Sequence, residues 1–147
     1  MRVVLDVAIL VRAHNRANGP ARALLLALVE NNCTLVVSAS LLEELERVLH
    51  YPRLRKATGL TDSEIAVFLG YLRKIAQMVD SGDLPDIPIR DPKDVHVVRA
   101  ALCGRADYLC TRDRDFDTEE IVDFCARHGT RIVSDVDLLQ IVRSAWR

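Results

Sequence analysis

Residues 106–116 read ADYLCTRDRDF, a short apolar segment with two aspartates within five residues of its end. The apolar Tyr108–Cys110 predicts a buried strand, and Asp113 and Asp115 lie just beyond it. A second continuous apolar run, near the N-terminus, ends at Asp6 in the same way. Functional groups in parallel α/β sheets collect beyond the carboxyl ends of the strands. The sequence therefore predicts that these three acids meet at one edge of a parallel sheet, although each alone would also suit a turn or a helix cap.

Apolar runs and helix-capping signals alternate along the rest of the chain. The predicted strands are Val3–Leu5, Thr34–Val37, Tyr108–Cys110 and Arg131–Val133. The first two predicted helices are Ala21–Glu30, which follows Pro20, and Leu41–Leu49, which Ser40 caps. The third runs from the Thr61–Glu64 capping box to about Val79, and the fourth from Pro92 to about Cys103. The last two are Thr118–His128 and a helix that Asp135 caps and that ends near Ala145. A short extended piece, Asp86–Ile89, is predicted inside the connection Ser81–Pro92. This alternation indicates an α/β fold with helices on the faces of a parallel sheet.

Composition narrows the class of protein further. The chain has 147 residues, of which half are apolar and 28% are charged, so we expect a single folded domain spanning residues 1–147. Lys plus Arg is 20 and Asp plus Glu is 21, so a nucleic-acid partner would have to be held by a local basic patch. No apolar run approaches the ~20 residues of a membrane span. The four cysteines show no metal-site spacing and no secretory signal is evident, which predicts reduced thiols and a cytoplasmic location.

Two further acids are distinguished by the helix face on which they lie. On the second predicted helix, Glu43 points away from the apolar stripe, whereas Glu44 and Glu46 flank it. Asp94 projects close to the centre of the apolar stripe of the helix behind Pro92. A carboxylate aimed at a core is costly unless it is paired or bound to a metal. Asp94 is therefore either a site residue or the cap of its own helix, and we interpret Asp91 as the cap or turn residue before it.

A cluster of carboxylates that contains no histidine or cysteine favours a hard cation, Mg²⁺ or Mn²⁺. Two such ions about 4 Å apart can activate a water and stabilise the leaving oxygen in phosphodiester cleavage. We interpret the histidines as ordinary surface or partly buried residues, because no shared spacing connects them: they are His14, His50, His96 and His128. The residue chemistry thus indicates a metal-dependent phosphodiesterase.

Four segments, taken in order along the chain, resemble the PIN domain. They are VLD at residues 4–6, followed by ILV at 9–11; LEELERVL at 42–49; DPKD at 91–94; and ADYLCTRDRDF at 106–116. More narrowly, the chain is similar to VapC-like toxins of type II toxin–antitoxin pairs. The resemblance implies a Rossmann-like α/β/α sandwich with a mostly parallel central sheet. It also implies a Mg²⁺- or Mn²⁺-dependent endoribonuclease, the toxin of such a pair.

The resemblance also implies roles for individual residues. It implies catalytic roles for Asp6, Glu44, Asp94 and Asp113, metal ligation by Asp6, Asp94, Asp113 and Asp115, and a supporting role for Thr111. Arginines expected near the mouth of the site as phosphate contacts, or else as solvated surface, are Arg12, Arg16, Arg112 and Arg114. The partners implied are an RNA substrate, a cognate antitoxin and further copies of the chain in a dimer or larger oligomer, with no membrane. The nearly all-apolar Ala23–Val29 fits a face buried by the core or by such a partner.

Three positions depart from the pattern that the chain resembles. Val7 and Ala8 stand where the first strand is usually followed by Thr and Asn, and Val95 stands where a second acid often follows Asp94. Loss of supporting hydrogen bonds can lower metal affinity or activity by roughly 10–100-fold. This leaves open the alternative of a degenerate PIN domain with a non-catalytic RNA-binding or regulatory role. A phosphate-accepting receiver domain is disfavoured, because it would need adjacent acids after Asp6 and a lysine late in the chain.

Overall fold

The computed structural model describes residues 1–80 and 86–145, which form a parallel sheet with helices between its strands. The strands are β1 Arg2–Leu5, β2 Thr34–Ser38, β3 Gln77–Val79, β4 Tyr108–Cys110 and β5 Arg131–Val133. The helices are α1 Val7–Arg12, α2 Pro20–Glu30, α3 Ala39–Leu49, α4 Pro52–Thr58, α5 Asp62–Ile75, α6 Val95–Cys103, α7 Glu119–Arg127 and α8 Asp135–Ala145. Two 3₁₀ turns, Pro92–Asp94 and Arg114–Phe116, lie before α6 and after β4.

The strand order is β3-β2-β1-β4-β5, and every neighbouring pair is parallel. The chain moves outward from β1 to β3 and then returns to the other side of β1 for β4 and β5. With right-handed crossovers, this reversal places helices on both faces of the sheet. The order is that of a Rossmann-like sheet and differs from the 2-1-3-4-5 order of flavodoxin-like receiver domains. The α/β sandwich expected from the sequence is confirmed.

The two central strands bring the N-terminal and C-terminal halves of the site together. Val4 pairs with Leu109 and Leu5 with Cys110, and all four side chains are buried. Strands covered on both faces are apolar throughout, which explains their continuous apolar sequences. Since β1 and β4 end side by side, the residue that follows each strand faces the same edge of the sheet. This register is what places Asp6 beside the loop after β4.

The structure corrects several predicted boundaries. The helix expected to reach Val79 ends at Ile75, and Ala76 turns the chain into the extended edge strand β3. This strand has three residues, two of them exposed, so its apolar positions could be assigned to the preceding helix. Asp86–Ile89 forms no strand, and residues 81–85 of the same predicted connection lie outside the described residues.

Two helix caps also differ from the prediction. Ser38, not Ser40, caps α3 by accepting a hydrogen bond from the backbone N–H of Leu41. The hydroxyl of Ser134 accepts from the N–H of Asp137, and this frees the carboxylate of Asp135 for a different contact. The capping box of Thr61 with Glu64 is confirmed. Helices α1 and α4 were not predicted, because each spans only two turns or less.

The apolar face of α2 was expected to be buried either by the core or by a partner. Leu24, Leu25 and Leu28 are buried, and α2 packs against α8, so the chain's own core covers most of the apolar surface. Leu26 and Val29 remain exposed by 40% and 38%. No helix in the described part of the chain is long and apolar enough to cross a membrane.

Candidate active site

Asp6 is held in one orientation at the carboxyl end of β1. It caps α1, where its Oδ1 accepts a hydrogen bond of 2.8 Å from the backbone N–H of Ile9. Its Oδ2 accepts a hydrogen bond from the hydroxyl of Thr111, and the side chain is buried. Burial raises the pKa of Asp6, an effect opposed by these two hydrogen bonds and by the charge of Arg12. Asp6 is therefore a fixed carboxylate whose charged form is costly without a nearby cation.

Thr111 connects the loops that follow β1 and β4. Its hydroxyl donates to Asp6 and accepts a 3.0 Å hydrogen bond from the N–H of Asp113. Asp113 in turn caps the 3₁₀ turn Arg114–Phe116 by accepting from the N–H of Asp115 at 2.9 Å. The residues that follow β4 are thus arranged in one hydrogen-bonded chain that begins at Asp6. Thr111, for which the resemblance implies a supporting role, lies at the centre of this series of hydrogen bonds.

Asp94 lies on the 3₁₀ turn that opens α6, and its carboxylate is not used as a cap. No side-chain capping bond is formed to α6, and the Oδ2 atom is buried without a hydrogen-bond partner. The interpretation of Asp94 as the cap of its own helix is therefore wrong. Asp91 does cap the turn, by accepting from the N–H of Lys93 at 3.0 Å. Oxygen atoms of Asp91, Asp94 and Asp115, one from each, all lie within 4.8 Å of one another.

The electrostatics of Asp94 show that the acids form one cluster. Burial raises the pKa of Asp94 to about 7, from an ordinary value of 3.8. Four nearby carboxylates act in the same direction, in the order Asp113, Asp91, Asp115 and Asp6. We call these five aspartates the acidic cluster. Their mutual repulsion is what an added cation would relieve, so the cluster is arranged to favour cation binding.

Glu44 lies at the side of the acidic cluster, with partners of its own. It is only partly exposed on α3, whereas Glu43 is exposed as predicted. Glu46, which was also predicted to flank the apolar stripe, is exposed as well, so the structure selects Glu44 of the two. Its Oε2 contacts the imidazole Nε2 of His96, and Oε1 lies 3.8 Å from the guanidinium of Arg47. The structure thus holds the Glu44 carboxylate against α6. Glu44 is not part of the group of oxygen atoms that Asp91, Asp94 and Asp115 bring together.

The arginines near the site divide into two groups. Arg112 forms an ion pair of 2.7 Å with the buried Asp135, and Arg12 lies 3.9 Å from the same carboxylate. Both arginine side chains are about half exposed, so they can reach a ligand while Asp135 holds them. Arg114 is exposed on the turn after Asp113. Arg16, by contrast, is paired with Glu64 at 2.6 Å at the start of α5.

The donor set of the acidic cluster fits a hard divalent cation. All five side chains offer carboxylate oxygens, which Mg²⁺ and Mn²⁺ prefer. The test that the structure provides is the Oδ2 atom of Asp94, which is buried and has no partner. A buried carboxylate oxygen left unpaired is unfavourable unless a cation completes its environment. Because the neighbouring groups are acids and not donors, a cation is the ligand that would satisfy this atom.

Three residues at the site were not selected from the sequence. Asp91 could have been found, because residues i and i+3 of a 3₁₀ turn stack on the same side, and Asp94 is three residues further on. His96 was interpreted as an ordinary histidine, but it contacts Glu44; only the packing of α3 against α6 shows this. Asp135 was interpreted as a helix cap, and no local signal indicates that it pairs with Arg112.

An acidic cluster at the carboxyl edge of a parallel Rossmann-like sheet defines a class of candidate metal-dependent phosphodiester enzymes. The family model of the PIN domain matches residues 2–115, and the chain belongs to the PIN domain family. A solved chain from the structure of VapBC2 from Rickettsia felis, bound to a DNA fragment from their promoter, has a similar fold with a TM-score of 0.59. The two chains are 15% identical over 91% of this chain and 98% of the other. No curated protein matches the chain.

Proposed function

We propose that this PIN domain is a metal-dependent endoribonuclease, whose active site is the acidic cluster with Glu44. PIN domains are in general metal-dependent nucleases, which sets the reaction class. The observation that carries the proposal is the unpartnered, buried Oδ2 of Asp94 among four further carboxylates. A carboxylate whose charged form is this unfavourable in the metal-free protein is expected at a functional site that uses the charge.

The role that we propose for each residue follows from its contacts. Asp6, Asp94, Asp113 and Asp115 would hold Mg²⁺ or Mn²⁺, with Asp91 as a further ligand. When bound, the cation supplies charge for the phosphate and activates the attacking water. Thr111 keeps Asp6 oriented through its hydroxyl. Arg112 and Arg12, held by Asp135, are placed to bind phosphate oxygens, and Arg114 is exposed beside them.

Glu44 is proposed as a catalytic residue that acts without binding the cation. Its carboxylate is held by His96, and both side chains are only partly exposed. A carboxylate and an imidazole in hydrogen-bond contact can hold or transfer a proton between Oε2 and Nε2. This pair would therefore take up the proton that the attacking water releases and hold it between Oε2 and Nε2.

One observation favours the alternative of a degenerate, non-catalytic domain, namely the apolar residues that follow β1. Val7 is partly exposed and Ala8 is exposed, so neither offers a polar group to the site. The orientation of Asp6 does not depend on them, however, because the Ile9 N–H and the Thr111 hydroxyl hold both of its oxygens. Thr111 thus supplies from β4 a hydrogen bond to Asp6 that residues after β1 cannot provide. We therefore favour the enzyme.

The proposal includes a biological setting. The similar chain from Rickettsia felis belongs to VapBC2 bound to a DNA fragment from their promoter. By analogy with it, we propose that this chain is the toxin of a toxin–antitoxin pair, with a cognate antitoxin as its partner and with residues 1–147 acting as one domain in the cytoplasm. We also propose a homo-oligomer, for which Leu26 and Val29 on α2 are available apolar contacts. Light scattering on the purified chain tests the oligomer directly.

Cleavage and metal uptake, measured on the same sample, test the central proposal. The purified chain is incubated with a panel of structured RNAs in Mn²⁺, in Mg²⁺ and in EDTA. Asp94→Asn is compared with Asp123→Asn, a matched change at an exposed aspartate of α7. We expect cleavage that requires metal, persists in Asp123→Asn and is lost in Asp94→Asn. Absence of both cleavage and calorimetric metal uptake would instead support the non-catalytic domain.

A further inference from the structure

Asp135 is a buried carboxylate that holds two arginines beside the acidic cluster. Its side chain is 2% exposed. Oδ1 forms an ion pair of 2.7 Å with Nε of Arg112 and accepts a 3.1 Å hydrogen bond from the N–H of Val136. Oδ2 lies 3.9 Å from a terminal nitrogen of Arg12. Because a buried carboxylate is very unfavourable without a partner, Asp135 keeps both guanidinium groups close to it.

Both arginines retain donors for a ligand while Asp135 holds them. The contact of Arg112 uses Nε, so its two terminal nitrogens are left for other partners. Arg12 lies too far from Asp135 for a hydrogen bond, so this contact uses none of its donors. A guanidinium group is planar and presents its N–H groups in a fixed fork that matches the oxygens of a phosphate. The pair is therefore suited to bind one phosphate group from two directions.

This ion-pair network is connected to the acidic cluster through Arg12. Burial raises the pKa of Asp6, and the charge of Arg12 is among the effects that lower it. Burial also raises the pKa of the Cys110 thiol at the end of β4, and the charges of Asp6 and Asp135 act in the same direction. Arg12 and Arg112 oppose this effect. Two carboxylates and two arginines thus lie around one buried sulfur, and one of these carboxylates belongs to the cluster.

The two sides of the acidic cluster differ in their supply of positive charge. The charges that act on Asp94 are those of four carboxylates. Among the residues that the structure describes, only Asp91, Asp94 and Asp115 bring three possible ligand atoms within 4.8 Å of one another. On the other side, both oxygens of Asp6 accept hydrogen bonds, and Arg12 supplies a positive charge. A cation is therefore favoured most strongly at Asp94.

A second divalent ion would be opposed on the side of Asp6. Two-ion sites hold their ions about 4 Å apart, so a second ion would have to bind the remaining acids of the cluster, Asp6 and Asp113. There it would meet the positive charge of Arg12. Asp113 also uses its Oδ1 already, which accepts the N–H of Asp115 at 2.9 Å. The protein thus places its own cation where the second ion would bind.

We propose that Arg12 and Arg112, held by Asp135, take the place of a second divalent cation, so that the active site binds one ion per chain. This inference rests on the proposed ribonuclease function, and it adds the number of ions and the residues that replace one of them. Asp135 acts through the two arginines and is a positioning residue. It also keeps them from pairing with the carboxylates of the cluster, where they would compete with the ion.

The arginines would act while the phosphodiester is hydrolysed. The oxygen of a water molecule forms a bond to phosphorus, and the bond from phosphorus to the leaving oxygen breaks. One proton of the water passes to the pair of Glu44 and His96, and the leaving oxygen takes a proton from solvent. Negative charge builds up on the phosphate and leaving oxygens during this exchange. Arg12 and Arg112 donate hydrogen bonds to these oxygens and remain protonated throughout.

The number of Mn²⁺ ions bound per chain tests the inference independently of cleavage. It is measured by calorimetry and by electron paramagnetic resonance, in which two neighbouring ions give the signal of a coupled pair. The test variant combines Arg12→Gln and Arg112→Gln with Asp135→Asn, so that no buried carboxylate is left unpaired. Arg12→Lys with Arg112→Lys keeps both charges. The control is Arg73→Gln with Arg127→Gln, at exposed arginines of α5 and α7.

We expect wild type, the lysine variant and the control each to bind one Mn²⁺ ion with the signal of an isolated ion. The triple variant should bind a second ion, because the charge that opposed it has been removed. At a Mn²⁺ concentration that fills one site, its kcat should be at least about 100-fold below that of wild type, the lower end of the loss on removing one transition-state donor. The lysine variant should recover part of this loss, since it keeps the charges but not the planar fork.

Three outcomes would overturn the inference. A coupled pair of ions in a wild type that cleaves RNA would refute it while leaving the nuclease intact. A triple variant that binds one ion and keeps the kcat of wild type would show that the arginines replace nothing. Absence of both bound Mn²⁺ and cleavage in wild type would refute the nuclease itself, and the inference with it. The failure of the inference alone is therefore distinguishable from the failure of the proposed function.

Discussion

Replacing Asp94 by Asn should stabilise the metal-free protein at alkaline pH. The Oδ2 atom of Asp94 is buried, and burial together with four nearby carboxylates raises the pKa of Asp94 to about 7. Asn has nearly the same shape but no charge, and its amide can donate hydrogen bonds to the neighbouring carboxylates. The substitution therefore removes repulsion without opening a cavity. A stabilising change at a site residue is a specific consequence of this charge arrangement.

The size and pH dependence follow from linkage. The unfolded chain releases the proton near the ordinary value of 3.8, whereas the folded chain retains it up to about pH 7. Between these values the folded state binds more protons, so its stability falls as pH rises, and the full loss is reached above about pH 7. The complete difference in pKa would correspond to about 4 kcal/mol. Because Asp94 is partly exposed and solvent screens its repulsion, we expect about 2 kcal/mol.

Equilibrium unfolding in urea with EDTA, at pH 4.5 and pH 8.5, measures this effect. At pH 8.5 Asp94→Asn should be more stable than wild type by about 2 kcal/mol, or about 4–8 °C in Tm for a chain of this length. At pH 4.5 the difference should fall to about 1 kcal/mol, because only the part of the loss that accrues between pH 3.8 and pH 4.5 is then present. Asp123→Asn, at an exposed position of α7, should show no such dependence on pH.

The reasoning would be refuted if Asp94→Asn were no more stable than wild type at pH 8.5. It would equally be refuted by a gain of the same size at both pH values, since that would indicate better packing and no relief of charge. Either result would mean that burial and the four neighbouring carboxylates do not disfavour the charged form of Asp94 in the folded protein.

Three further predictions concern the same cluster. Millimolar Mn²⁺ should raise the Tm of wild type but change that of Asp94→Asn much less, because a ligand stabilises the folded state in proportion to the logarithm of its concentration above Kd. Equal shifts of the two proteins in differential scanning calorimetry would contradict this prediction. Thr111→Val should lower metal affinity by roughly 10–100-fold in calorimetry, while Thr111→Ser, which keeps the hydroxyl bond to Asp6, should restore it. Glu44→Gln should lower kcat without changing metal affinity, with the exposed Glu46→Gln as its control, and a loss of metal binding would show that Glu44 is a ligand.

The central elements of the fold could be predicted from the sequence, because both of its central strands carry continuous apolar runs. β4 and β5 begin and end as predicted, and the capping box at Thr61 marks the start of α5. β3 was missed because its residues continue the apolar spacing of the preceding helix. β5, the other edge strand, was predicted because no helix pattern runs into it. Local pattern therefore fails where a short strand continues the periodicity of a helix.

In the candidate site, too, local sequence pattern predicted some features and missed others. Helix-face geometry correctly indicated that Asp94 points inward and that Glu44, not Glu43, lies at the rim of the buried face. The contact of Glu44 with His96, and that of Arg112 with Asp135, join residues 52 and 23 positions apart. No local pattern encodes such pairs, since each depends on how two helices or loops pack.

The position of Thr111 bears on whether the residues after β1 decide the activity. A hydroxyl next to Asp6 in sequence would orient one carboxylate only. Thr111 acts across the β1–β4 pair, where it fixes Asp6 and the N–H of Asp113 at the same time. Because a single side chain sets the relative positions of two acids, its loss should disturb the cluster more than the changes to Val7 and Ala8 have done. If Thr111→Val leaves metal affinity intact, however, the cluster is positioned by the backbone alone, and those two apolar residues cannot then explain any lack of activity.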